Sequence, residues 1–141
     1  MIQNFHIEPV EDYAGAIQFL EDKLYEHNSK TLNRDDGRLF SSIVKSANNT
    51  IIAGIAGWTW ADICEITQLW VDGAVRNKGI GKMLLQAAET VALDRGCGTI
   101  LVRTYSFQAP DFYMKHGFLI RQKIDDFPPG HQYYILTSTV T

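Results

Sequence analysis

Apolar residues recur along this chain with two periods, one close to 3.6 and one of 2, so helical and extended stretches separate before composition is considered. A short extended start around Phe5 to Glu8 precedes Tyr13, Ile17, Leu20 and Leu24. Their three- and four-residue spacing predicts an amphipathic helix, and Glu11 and Asp12 favour its N-terminus. The polar segment Glu26 to Gly37 follows, with room for one more helical turn near residues 29–36. Two β-rich runs, Leu39 to Ala47 and Ile51 to Trp58, are joined by Asn48-Asn49, whose side chains tolerate left-handed turn geometry, and read as a hairpin. In Ile63 to Val71 a period of two puts Ile63, Glu65, Thr67, Leu69 and Val71 on one face and Cys64, Ile66, Gln68 and Trp70 on the other. Both faces are largely apolar, which predicts a central strand.

From Ile80 the set Ile80, Met83, Leu84, Ala87, Ala88, Val91 and Ala92 follows the helical period without a miss. Gly96 falls where a left-handed C-terminal cap belongs, and Thr99 to Val102 restarts the β pattern. This strand–helix–strand unit predicts two locally parallel strands. A short helix, Ala109 to His116, ends at Gly117, and runs Phe118 to Lys123 and His131 to Thr139 flank the turn-rich Phe127-Pro128-Pro129-Gly130. The predicted order is β-α-β-β-β-α-β-α-β-β.

Composition narrows the classes. The chain has 141 residues, 45% of them hydrophobic and 21% charged, the proportions of a single globular domain spanning 1–141. A net charge of −3 argues against a general nucleic-acid binder, whose affinity rests on phosphate neutralisation. Cys64 and Cys97 are 33 positions apart, outside any zinc or disulfide spacing, and the four histidines show no ligand pattern, so no metal is expected. The start of the chain lacks a basic region followed by an apolar one, and no uncharged stretch approaches the ~20 residues of a membrane span. A cytoplasmic location is therefore expected.

The segment Val71 to Lys82 carries the chemistry. It joins the central strand to the best helix, whose first turn leaves backbone N–H groups unpaired while glycines let a phosphate approach. Arg76, Lys78 and Lys82 add local positive charge to an acidic chain. A nucleoside triphosphate loop would need Gly-x-x-x-x-Gly-Lys-Ser/Thr, but Met83 follows Lys82 and position 76 is arginine. The dinucleotide fingerprint fails too, because Leu84 stands where its third glycine belongs.

Arg76-x-x-Gly79-x-Gly81 instead resembles the Gln/Arg-x-x-Gly-x-Gly/Ala signature of the GNAT superfamily of acyl-CoA-dependent N-acyltransferases. Ser106 to Phe118 is similar to the family's second pattern, Asn-x-x-Ala-x-x-Phe/Leu-Tyr-x-Lys/Arg-x-Gly-Phe, with Ser106 in place of asparagine. The resemblance implies an α/β (α+β) fold: a mixed, mostly antiparallel sheet of six or seven strands, flanked by helices on both faces and splayed between strands 4 and 5. It implies acetyl-CoA in that opening. The pantetheine arm would pair with the fourth strand at Leu69, Trp70 and Val71. Pyrophosphate would be bound by Arg76, Asn77, Lys78, Gly79, Ile80, Gly81 and Lys82, with Ser106 a further cofactor contact.

By the same resemblance Tyr113 is the candidate acid for the departing thiolate, and a backbone N–H near Val71 helps polarise the thioester carbonyl. Glu65 resembles a fourth-strand glutamate that serves some members as general base; a structural carboxylate is the competing reading. Cys64 offers an acyl-cysteine route, with simple packing as its alternative. Asp35, Asp36, Asp125 and Asp126, with Phe127, Tyr133 and Tyr134 nearby, would suit a cationic acceptor. The expected function is direct acetyl transfer to a primary amine of a small cationic molecule by a protein that forms a homodimer. The alternatives are transfer to protein or peptide amines and a non-catalytic acyl-CoA sensor.

Overall fold

The computed structural model describes residues 4–11 and 13–141, and the chain divides into two compact units that meet in sequence at Asp35 and Asp36. In the first unit, α1 spans Tyr13–Leu32; Asp12, read as part of its acidic start, lies outside the described residues. The helix runs a further eight residues past Leu24, through the segment expected to be mostly loop. Polar i,i+4 contacts carry it there, Gln18 to Asp22 at 2.8 Å and Lys30 to Glu26 at 3.1 Å. The Lys30 hydrogen bond, helped by Lys23, holds the Glu26 carboxyl below its ordinary pKa. Asn33, at a φ of 53°, closes the helix, and the Arg34 N–H donates to the Ser29 carbonyl at 2.9 Å. Apolar periodicity cannot register such a polar extension.

The stretch around Phe5 to Glu8 forms no strand: four extended residues gain a ladder only where an edge accepts them. The second unit therefore holds six strands among the described residues. These are β1 Arg38–Lys45, β2 Ile51–Trp60, β3 Ile63–Val71, β4 Thr99–Tyr105, β5 Leu119–Asp125 and β6 Gln132–Thr139. They lie in the order β1-β2-β3-β4-β6-β5, all antiparallel except β3 with β4. The run Ile63 to Val71, fourth by sequence, is thus β3 and central as expected.

Helix α2, Ile80–Asp94, makes the crossover that parallel neighbours need and buries Leu84, Leu85, Ala88 and Ala92. Against expectation Met83 is exposed and Leu85 buried, so the stripe is rotated slightly from the one read by periodicity. Gly96 has the anticipated left-handed φ of +74°, with the Cys97 N–H returning to the Ala92 carbonyl at 2.8 Å. Arg95, unremarked in the sequence, clamps the end of α2 to the hairpin. Its guanidinium donates to the Arg38 and Leu39 carbonyls and to Thr59 Oγ1 and lies over the Phe40 ring. A short helix α3, Pro110–Lys115, follows β4 and ends at Gly117 with a φ of +92°.

One irregularity changes the reading of β3. Ala56 pairs with Gln68 but Gly57 with Ile66, so Thr67 is an extra residue, a β-bulge. Register partners share a face, and the buried β2 residues Ala53, Ile55 and Thr59 pair with Val71, Leu69 and Cys64. Leu69 and Val71 therefore join Cys64 and Ile66 on the α2 face. Glu65 is turned to the opposite face, which corrects the expectation that it shares one with Leu69 and Val71. A strict period of two cannot survive an inserted residue.

Gly57 makes this possible. A Cβ there would stand 2.0 Å from the Glu65 carbonyl oxygen and 2.8 Å from the Phe40 ring. Gly57→Ala should destabilise the fold by about 3 kcal/mol or more, because backbone must move. At Gly54 the nearest atom to a Cβ is 3.3 Å away, so Gly54→Ala serves as the milder control. Urea melts of the two variants check this; equal midpoints would refute it.

Candidate active site

The parallel pairing of β3 with β4 runs only from Ile63↔Thr99 to Ile66↔Val102 and stops where the bulge begins. Beyond it Leu69–Val71 and Arg103–Tyr105 part. The Asp72 N–H donates to the Ile52 carbonyl, so by strand alternation the backbone groups of Val71 and Leu69 face the unpaired edge. On that edge the Val71 carbonyl accepts from Arg76 Nε at 3.1 Å. A cavity of about 870 Å³ opens here, bounded by Leu69, Trp70 and Val71 on the strand side and by Ala109, Phe112 and Tyr113 on the other.

At one end of the cavity the loop before α2 is shaped as an anion cradle. Asp72 Oδ1 accepts from the Ala74 N–H at 2.9 Å and fixes the turn Gly73–Val75. Asn77 and Gly79 then adopt left-handed φ values of 63° and 79°. Gly79 is the N-cap of α2 and offers no side-chain oxygen to its first-turn amides. Those donors, together with the helix dipole, remain available to an external anion. Gly81 lets the helix start pass close to α3, since a Cβ would lie 3.3 Å from the Phe112 ring. Arg76, Asn77, Gly79, Ile80, Gly81 and Lys82 all line the cavity; Lys78 is exposed beside it. Clustered N–H donors followed by a free strand edge fit a pyrophosphate continued by an amide-bearing arm.

Tyr113 lines the same cavity, only 5% exposed, and packs edge-to-face on Phe112 and Phe118. Burial pushes its phenol up to about 12. The hydroxyl thus stays protonated throughout the neutral range.

A sequence model of the acetyltransferase (GNAT) family matches residues 4–118. The chain belongs to that family. Blasticidin-S acetyltransferase of Streptomyces morookaense is 36% identical over 86 residues, 60% of this chain and 61% of that one, so the matched stretch spans less than two thirds of that relative. The crystal structure of an acetyltransferase from Bacillus cereus superposes with a TM-score of 0.80, at 31% identity over 96% of this chain and 97% of that one. A Bacillus anthracis chain of the same fold was solved in complex with acetyl coenzyme A; it is 23% identical, with a TM-score of 0.63 over 73% of this chain and 63% of that one.

Other residues of this GNAT-family enzyme read from sequence sit elsewhere. Ser106 does not line the cavity: its Oγ accepts from the Gln132 N–H at 3.0 Å, and its own N–H donates to the Gln132 carbonyl at 2.8 Å. Glu65 is also outside the lining; its nearly buried carboxylate pairs with Arg103 at 3.6 Å. The acidic loops are largely self-occupied. Asp36 accepts from the Ala61 N–H and Asp126 from the Gly130 N–H, while Asp125 pairs with Lys123. Tyr134 packs against the core instead of flanking these acids.

Phe107, Gln108, Lys115 and His116 line the cavity and were not singled out. All four lie within the second motif, and the strand-to-helix turn between β4 and α3 was the signal that could have placed Phe107 and Gln108. A second cleft of about 660 Å³, near Gln86, Glu89, Arg121 and Thr137, reaches His116 and Gly117 at the end of the second motif but none of the loop before α2.

Cys64 is fully buried, and desolvation, with Cys97 nearby, pushes its thiol up to about 11. An inaccessible protonated thiol is no acyl carrier. Cys64→Ala should keep turnover within about twofold while costing about 1 kcal/mol of stability. Loss of turnover in the folded variant would reinstate the acyl-cysteine route.

Proposed function

We propose that this enzyme transfers the acetyl group of acetyl-CoA directly to a primary amine of a small molecule. The observation that carries the reading is the αL-glycine helix start without a side-chain cap, set beside an unpaired strand edge and opposite a protonated Tyr113. The named activity of the Streptomyces relative supports a small amine-bearing acceptor.

When bound, acetyl-CoA supplies an already activated acyl thioester. Leu69 and Val71 would orient it along the strand edge, where the Val71 N–H is placed to polarise the acyl carbonyl. The amides of Gly79 to Lys82, with Arg76 and Lys78, would hold the pyrophosphate. Tyr113 would present its hydroxyl proton to the leaving sulfur. The thiolate of a thiol with an ordinary pKa near 8.5 is a weaker base than the phenolate of a phenol at about 12, so the hydrogen bond itself, without full proton transfer, carries the stabilisation.

The acceptor must attack as a neutral amine, and deprotonating an alkyl ammonium at pH 7 costs about 4–5 kcal/mol. Glu65, on the face away from α2 and held by Arg103, is the carboxylate proposed to receive that proton, directly or through water.

Acetyl-CoA-dependent thiol release should appear with one chemical group in a panel of blasticidin S, polyamines, aminoglycosides, amino acids and basic peptides. A flat panel from an enzyme that binds acetyl-CoA would overturn the proposal. Tyr113→Phe should lower kcat by about 10–100-fold with the KM for acetyl-CoA within threefold. Because the acid acts protonated and its pKa is raised, the wild-type kcat profile should show no descending limb from this group below about pH 11. A tyrosine-dependent loss near pH 9, or a Tyr113→Phe variant within threefold of wild type, would exclude the role.

A further inference from the structure

Beside the cavity, at the C-terminal end of β4, a group of rings has its own order. Tyr105 ends β4, Phe107 follows in the turn, and Phe127, His131 and Tyr133 come from the β5–β6 connection and the start of β6. Phe107 lies parallel to Tyr105 within 5° at 5.1 Å, and Phe127 lies within 15° of Tyr105 at 6.3 Å. Tyr133 tilts against both Tyr105 and Phe127, and His131 meets Phe107 edge-on. The outer layers stay open to solvent, Phe107 at 57% and Phe127 at 47% exposure. Phe107 also lines the cavity, together with Trp70.

The backbone holds these layers in place. The reciprocal Ser106–Gln132 bonds tie the turn carrying Phe107 to β6, and Gln108 Oε1 accepts from the Tyr105 N–H at 2.9 Å. Across the loop, the Phe127 N–H donates to the His131 carbonyl and the His131 N–H to that of Pro128. A ring arriving at such a surface pays little ordering cost.

We propose that the acceptor carries a planar unsaturated ring that stacks on Phe107, with Tyr105 and Phe127 as the layers behind it. This names the acceptor class and rests on the transferase reading above. Parallel rings with open faces favour another flat π system in offset stacking. An aliphatic ammonium would call for rings boxed around a point charge or for free carboxylates. Here the rings are layered and box no point charge, and Asp125 is already paired with Lys123.

The test compares 2-phenylethylamine with 2-cyclohexylethylamine, which share a carbon skeleton but differ in having a planar or a puckered ring. Binding to the enzyme with coenzyme A present is titrated by saturation-transfer NMR. The phenyl compound should bind about three- to tenfold tighter. Phe107→Leu should erase the preference and Phe107→Trp should widen it. Equal affinities, no detectable binding of either amine, or a preference that survives Phe107→Leu would overturn the stack. Thiol release is followed on the same samples. A ring preference in binding with no transfer to any amine would sink the transferase reading and leave the stack standing; transfer to both amines without a preference would do the reverse.

Discussion

The carbonyl of Glu65 lies so close to Gly57 that a Cβ would stand 2.0 Å from its oxygen, and only glycine permits that approach between two central strands. The contact sits beside the bulge at Thr67, whose hydroxyl donates to the Ala56 carbonyl at 3.2 Å. A bulge bends its strand and increases local twist. Here the bent strand is β3, and its pairing with β4 ends at Ile66, one residue before the bulge. The unpaired edge that adjoins the glycine loop thus begins where the bulge does.

The same phase shift divides the chemistry between two sheet faces. Leu69 and Val71 are turned toward α2 and the α3 rings, where Tyr113 is desolvated and the cradle donors converge. Glu65 is turned to the other face, opposite Trp58 on one side and Leu101 on the other. The cavity at the opening is bounded by Trp70 as well as by Leu69, Val71 and Tyr113, so it is lined from both faces. On the proposed reading, the acyl donor and the amine acceptor approach one point from opposite sides of a single sheet. Local charge follows the division, with Arg76 and Lys82 at the cradle of a chain whose net charge is −3.

Much of this was legible in the order of residues. The α2 stripe, the Gly96 and Gly117 caps and the two glycine-bearing motifs each report local rules, and local rules survive into the fold. Three features were not legible, because apolar periodicity does not register what decides them. The Thr67 bulge is visible only against β2, the extension of α1 rests on polar i,i+4 pairs that carry no apolar period, and the stretch around Phe5 to Glu8 forms no strand. The acidic loop residues likewise have partners that composition does not register: Asp126 and Asp36 each accept from a neighbouring backbone N–H.

Ser106 shows how a departure from the family pattern can be resolved by geometry. Where the pattern has asparagine, the shorter serine hydroxyl reaches the Gln132 N–H and turns toward β6 instead of the cavity. Its effect on the site is then indirect. Together with its own N–H it fixes the turn between Tyr105 and Phe107, and that turn decides the plane in which Phe107 faces the opening. In this arrangement Ser106 supports the ring surface next to it. The ring surface consequently owes its shape to the hydrogen bonds of a β4–β6 tie, while the anion cradle owes its shape to the glycines before α2.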